Sequence, residues 1–212
     1  LDWRGVLLLG IGANLDNLGV GVSYGIRGIK VRWQANAVIA GIALAGTGAA
    51  IVAGNEAAGL LPLMAARRAG AAILLLVGLW IGLQAWLEHV TPPPGDAPQR
   101  LLRLPLLGAA GVWIEILRDP QKADVDRSGA IDLREAMLLG IALSLNNVGT
   151  GLGAGLGHYP ALVTAVVTAL GSWVTILGGA WLGRRAGMRR LGQGASYIAT
   201  LVLVVLAIIE WV

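Results

Sequence analysis

The sequence predicts an all-α polytopic membrane protein: six transmembrane helices arranged as two inverted three-helix repeats. Three observations carry that prediction. Of 212 residues, 56% are apolar and only 13% charged, and the mean hydropathy is +0.73; soluble domains carry nearer a quarter charged residues. Six apolar stretches approach or reach the roughly 20 helical residues needed to cross a hydrocarbon core of about 30 Å. The first and fourth stretches share one sequence pattern.

The first stretch, 5–26, is apolar except for Asn14, Asp16 and Asn17 at its middle. That interruption, with no small-residue cleavage site after it, marks a membrane helix and not a cleaved leader. The second, 34–54, follows the basic Arg27, Lys30 and Arg32, and the third, 70–88, follows Arg67 and Arg68. The fourth, 136–156, follows Arg134; the fifth, 160–182, ends before Arg184 and Arg185; the sixth, 192–212, follows Arg189 and Arg190. Several of the eight tryptophans fall near the ends of these stretches, where bilayer interfaces favour indole rings. Basic residues also set the direction of crossing. Thirteen of the 16 lie on one side: those just named apart from Arg67 and Arg68, with Arg100, Arg103, Arg118, Lys122 and Arg127. Only Arg4, Arg67 and Arg68 lie on the other. Both termini are therefore expected outside, and the long 89–135 segment in the cytoplasm. The expected partners are the lipid bilayer and metal ions, with a homo-oligomer left open. Arginines in loops beside apolar helices give no reason to expect nucleic acid.

The chain repeats itself. LLGIGANLDNLGVGVSYG (8–25) and LLGIALSLNNVGTGLGAG (138–155) agree at nine of eighteen positions at an offset of 130, including Asn17 with Asn147. Gly46-Thr47 recurs as Gly171-Ser172 at an offset of 125, and Arg67-Arg68-Ala69-Gly70 as Arg189-Arg190-Leu191-Gly192 at 122. An odd number of spans per repeat forces the second copy to enter from the opposite face, an architecture typical of secondary transporters. The chain divides accordingly into 1–88, a linker over 89–135, and 136–212.

No cysteines and only two histidines exclude disulfides, thiolate zinc sites and imidazole-rich metal centres. No nucleophile–base pair or catalytic acid pair is visible, so an enzyme is not expected. Asp16 is the one ionisable side chain deep inside a span, a costly placement that usually serves a pathway or a site. Asn14, Asp16 and Asn17 of the first helix have Ser144, Asn146 and Asn147 as counterparts in the fourth. Thr47 and Ser172 hold equivalent places in the second and fifth. Asp16, Asn17, Asn146 and Asn147, joined by the hydroxyls of Thr47 and Ser172, form an oxygen set suited to hard cations such as Mn²⁺, Mg²⁺ or Ca²⁺. The alternative for the asparagines is helix–helix hydrogen bonding alone. GTGLGAG (149–155) lies within an apolar helix with no strand before it, so it reads as packing glycine and not a phosphate loop.

Residues 124–135, DVDRSGAIDLRE, fill the slots of an EF-hand loop: Asp124, Asp126 and Ser128 at positions 1, 3 and 5, Gly129 at 6, the carbonyl of Ala130 at 7, Asp132 at 9 and Glu135 at 12. The expected ligand is Ca²⁺ or a similar ion; the plain alternative is a solvated acidic turn. GVWIEILR (111–118) looks like an amphipathic surface helix ended by Pro120. The helix leaving the loop starts near Leu133 and runs into the fourth span.

LDNLGVGVSYGIRGIKV (15–31) and ILRDPQKADVDRSGAIDLREAMLLGIALSLNNVGTGLGAGL (116–156) resemble the MntP-like group of manganese efflux pumps, within the wider LysE-type exporters, over essentially the whole chain. The resemblance implies a six-helix inverted repeat and export of a divalent cation, first of all Mn²⁺. The group's first-helix acid falls on Asp16. Its fourth-helix motif usually reads S-[LIM]-D-A; here it reads Ser144-Leu145-Asn146-Asn147, so the second acid is absent. A rival reading is a non-transporting, sporulation-associated membrane scaffold or Ca²⁺ sensor working through the 124–135 loop. Another is export of a small organic solute.

Overall fold

The computed structural model describes residues 3–90, 116, 120–186, 201, 204, 205 and 208. Its elements are α1 (Trp3–Gly12), α2 (Leu15–Arg27), β1 (Lys30–Val31), α3 (Trp33–Gly59), α4 (Leu63–Val90), a 3-10 turn (Pro120–Lys122), β2 (Ala130–Ile131), α5 (Leu133–Leu156) and α6 (Ala161–Ala186). It is an all-α membrane protein: four of its described helical stretches are long and apolar enough to cross a bilayer, five with α5 counted as one bent span. Most of the 192–212 stretch and of the 111–118 helix lies outside the described residues; Leu201, Val204, Val205, Ile208 and Ile116 are helical.

The first span, Trp3–Arg27, is interrupted by a two-residue turn at Ala13–Asn14. α1 ends at Gly12 and α2 begins at Leu15, because the Asn14 carboxamide donates to the Gly10 carbonyl at 2.7 Å and to the Thr168 carbonyl across the bundle at 2.9 Å. A short amide side chain competing for backbone groups is a known disturber of helices. α4 starts at Leu63, a full turn before the charges expected to bound it. Arg67 and Arg68 are exposed, and long basic side chains can keep their heads in water while the helix runs on. Pro62 separates α3 from α4, its carbonyl accepting the amides of Ala65 and Ala66.

Glycine sets the helix packing. α3 packs most extensively on α5, and α2 on α6. A Cβ on Gly25 would strike the carbonyl oxygen of Ala180, one on Gly155 that of Ile51, and one on Gly183 that of Val22. These backbones touch, as small residues at membrane helix interfaces allow. Gly183→Ala therefore forces α2 and α6 apart. It should lower unfolding stability by about 1–3 kcal/mol, read as an earlier thermal transition of the purified protein.

The outer surface is apolar. Leu7, Ile11, Leu44, Val52, Leu76, Leu170 and Val174 are all exposed, as lipid-facing side chains must be. At one end of the bundle, Lys30 pairs in parallel with Ala130 and Val31 with Ile131, and the Tyr24 hydroxyl donates to the Pro120 carbonyl at 2.6 Å. The 124–135 loop is thereby tied to the α2–α3 connection.

Candidate functional site

Asn14, Asn17 and Ser172 are hydrogen-bonded together at the break in the first span, with the Asn17 Oδ1 buried and without a partner among the described residues. The Asn17 carboxamide donates to the Asn14 side-chain oxygen at 2.9 Å and to the Ser172 hydroxyl at 3.2 Å. All three side chains are buried. Asp16 is half-buried in the first turn of α2, and one carboxylate oxygen accepts the Asn17 N–H at 2.8 Å. The positive end of the α2 dipole favours an anion there.

The counterpart half is built differently. Thr47 and Asn147, 125 before Ser172 and 130 after Asn17, both line a cavity of about 10 Å³ between α1, α3, α5 and α6, together with Thr150, Thr164 and Thr168. That is room for about one water-sized particle. Thr47 Oγ1, Asn147 Nδ2 and Thr164 Oγ1 are buried with no partner among the described residues. Leaving such an atom unpaired costs about 1–3 kcal/mol. The difference comes from one residue. Asn14 is long enough to reach Asn17, whereas its counterpart Ser144 turns back to the Ile141 carbonyl at 3.0 Å.

The sequence-predicted membrane residues therefore fall into two groups: Asn17 with Ser172, and Asn147 with Thr47. Asp16 adjoins the first group and does not line the cavity. The backbone of Asn146 lies at the point where α5 bends by 44°, between Leu133–Leu145 and Asn147–Leu156. Sequence reasoning missed Thr150, Thr164 and Thr168. The available signal was the one-turn spacing of Thr164 and Thr168, which puts both hydroxyls on one helix face.

In the 124–135 loop, the Gly129 N–H donates to Asp124 at 3.1 Å and the Ser128 N–H to Asp126 at 2.9 Å. Gly129 has φ +77, the left-handed turn that a glycine makes without strain. Glu135 is buried. It accepts from Val125 N at 2.7 Å and from Asp132 N at 3.1 Å, while Asp132 accepts from Glu135 N at 2.7 Å. This reciprocal capping box starts α5 at Leu133. Oxygens of Asp124, Asp126 and Glu135 lie within 4.8 Å of one another. Bonds from the Ser128 backbone N–H, then its side chain, hold the Asp126 carboxyl below its ordinary value, keeping it ionised.

The family model described as "Putative manganese efflux pump" matches residues 104–209. The chain is also 33% identical over 178 residues to "Probable sporulation protein YtaF" of Bacillus subtilis (strain 168), covering 82% of each. The chain belongs to the MntP family. A further relative, "Putative manganese efflux pump MntP" of Corynebacterium efficiens, is 38% identical over 99 residues, 45% of this chain and 52% of that one. No solved structure matches this MntP-family chain.

Proposed function

We propose that this protein is a secondary transporter that exports a divalent metal cation, Mn²⁺, across the cell membrane. The observation that carries the reading is a pair of helix irregularities two residues from equivalent places. Helix α1 gives way to α2 at Ala13–Asn14, two residues before Asp16, and α5 bends by 44° at Asn146, the counterpart of Asp16 at the offset of 130. Discontinuous helices at matching positions of two halves are the usual seat of a transporter's site. The relatives' names supply the metal.

Six spans in two inverted repeats account for the packing. Gly10 abuts Val167 and Gly140 abuts Ile42; Gly171 abuts Asn14 and Gly46 abuts Ser144. Each second contact follows from the first by the sequence offsets of 130 and 125. Asp16, Asn17, Asn146, Asn147, Thr47 and Ser172 would line the path, with Asp16 the charged ligand and candidate proton acceptor, and rocking of the two repeats would give alternating access. In this reading both termini lie outside and 89–135 inside; support comes from the contacts of Lys30 with Gly129 and of Gly25 with Arg184, which bring described basic residues of three connections to one end of the bundle.

Mn²⁺ flux from reconstituted vesicles tests the assignment. A scaffold working only through its acidic loop gives no flux, and that result overturns it.

The 124–135 loop binds Ca²⁺ in this reading, through Asp124, Asp126, Ser128, the Ala130 carbonyl, Asp132 and Glu135. An oxygen of Asp124 is buried without a partner among the described residues. Because Glu135 also starts α5, and the loop pairs with the strand before α3, ion binding there fixes the inner ends of two spans. Glu135→Gln keeps the capping box by turning its single oxygen to the Asp132 N–H, and gives up the bond from Val125 and a ligand charge. Ca²⁺ affinity by calorimetry should fall at least about tenfold with helicity unchanged. Transport whose Ca²⁺ dependence is unaltered in this variant would rule out the regulatory link.

A further inference from the structure

Asp16 supplies a charge to one half of the bundle, but the cavity in the other half has none. Its polar wall is the Asn147 carboxamide and the hydroxyls of Thr47, Thr150, Thr164 and Thr168, and its other lining residues are apolar or glycine. Thr47, Asn147 and Thr164 are 3%, 2% and 2% exposed, and each holds a polar atom with no partner among the described residues. α1 ends one residue before Ala13, another wall of the cavity.

These facts select a ligand. No group in the wall titrates between pH 4 and 10, so the cavity cannot carry a proton by itself. A dehydrated divalent ion among neutral oxygens keeps its whole charge uncompensated in a low dielectric, which is prohibitive. A small monovalent cation asks for what is present: several neutral oxygens and a space of about 10 Å³. The amide of Asn147 can present its oxygen to such an ion by a half-turn about its terminal bond, since the two ends are nearly isosteric.

We propose that the cavity walled by Thr47, Asn147, Thr150, Thr164 and Thr168 is a charge-neutral Na⁺ site, and that Na⁺ is the ion exchanged against the exported metal. The exchange half rests on the efflux reading above; the binding half does not. The site is open because residue 144 is serine where the other half has asparagine. Asn14 accepts the Asn17 carboxamide N–H at 2.9 Å, whereas Ser144 bonds its own helix and leaves the Asn147 Nδ2 and Thr47 Oγ1 without a partner among the described residues.

Thermal unfolding of the purified full chain, followed by tryptophan fluorescence in NaCl, KCl or choline chloride at equal ionic strength, reads binding directly. The wild type should melt about 5 °C higher in saturating Na⁺ than in choline, with a smaller shift in K⁺. Thr47→Val and Thr164→Val should abolish the Na⁺ shift. Ser144→Asn should abolish it without lowering the transition in choline, because its carboxamide oxygen can accept the Asn147 N–H as Asn14 accepts that of Asn17. Identical melting in Na⁺ and choline, or a full Na⁺ shift surviving in both valine variants, overturns the site. Mn²⁺ flux indifferent to an imposed Na⁺ gradient overturns the exchange. An intact Na⁺ shift in a protein that moves no Mn²⁺ supports the site and overturns the efflux reading instead.

Discussion

Asp16→Asn abolishes metal efflux: the initial rate of Mn²⁺ flux from vesicles falls at least about 100-fold, equivalent to about 2.7 kcal/mol. The floor is conservative. A unit charge pair at 4 Å is worth about 4 kcal/mol at an effective dielectric constant near 20, and a dication doubles the term. The substitution is nearly isosteric. The new carboxamide oxygen can still accept the Asn17 N–H that Asp16 accepts at 2.8 Å, so α2 keeps its first turn and the loss is one of charge. Size-exclusion profiles and melting curves matching the wild type establish correct folding. Wild-type flux from such a variant would refute the role of Asp16 and leave the pathway without a charged ligand.

The sequence carried the membrane class and the course of α3, α5 and α6 because apolar length is read directly from composition. It also carried the close helix contacts, since Gly21/Gly25 and Gly151/Gly155 sit at one-turn spacing and the repeat marks them twice. What it did not carry was the break at Ala13–Asn14. Helical periodicity runs straight through Asn14, and only a partner 154 residues away, the Thr168 carbonyl at 2.9 Å, shows the carboxamide diverting the backbone. The division of the polar residues was hidden for the same reason. Asn17 and Asn147 are identical letters at equivalent positions, yet one is bonded to Ser172 and the other faces a cavity beside Thr47. The length of the side chain three residues earlier, Asn14 against Ser144, decides between them. A pairwise reading of equivalent positions notes that substitution without weighing it.

The equivalence of the two halves can itself be put to the test through the missing acid. Asn146 occupies the position that corresponds to Asp16, at the 44° bend of α5, and the proposed site offers a divalent ion one negative charge. Asn146→Asp adds a second. By the same Coulomb estimate it should raise apparent Mn²⁺ affinity at least tenfold, seen as a lower half-saturating concentration in flux measurements. Tighter binding in the ground state need not speed turnover, so the maximal rate should stay level or fall. The decisive variant combines the two changes. In Asp16→Asn/Asn146→Asp the site again holds one carboxylate, now on the other half. If the halves are related by a two-fold axis in the membrane plane, that carboxylate reaches the same ion from the opposite side. Flux should then return to within about tenfold of wild type, because mutations at residues sharing one ion are strongly non-additive. A double variant as inactive as Asp16→Asn alone would mean that α2 and α5 do not converge on a common ion, and that the pathway belongs to the first repeat alone.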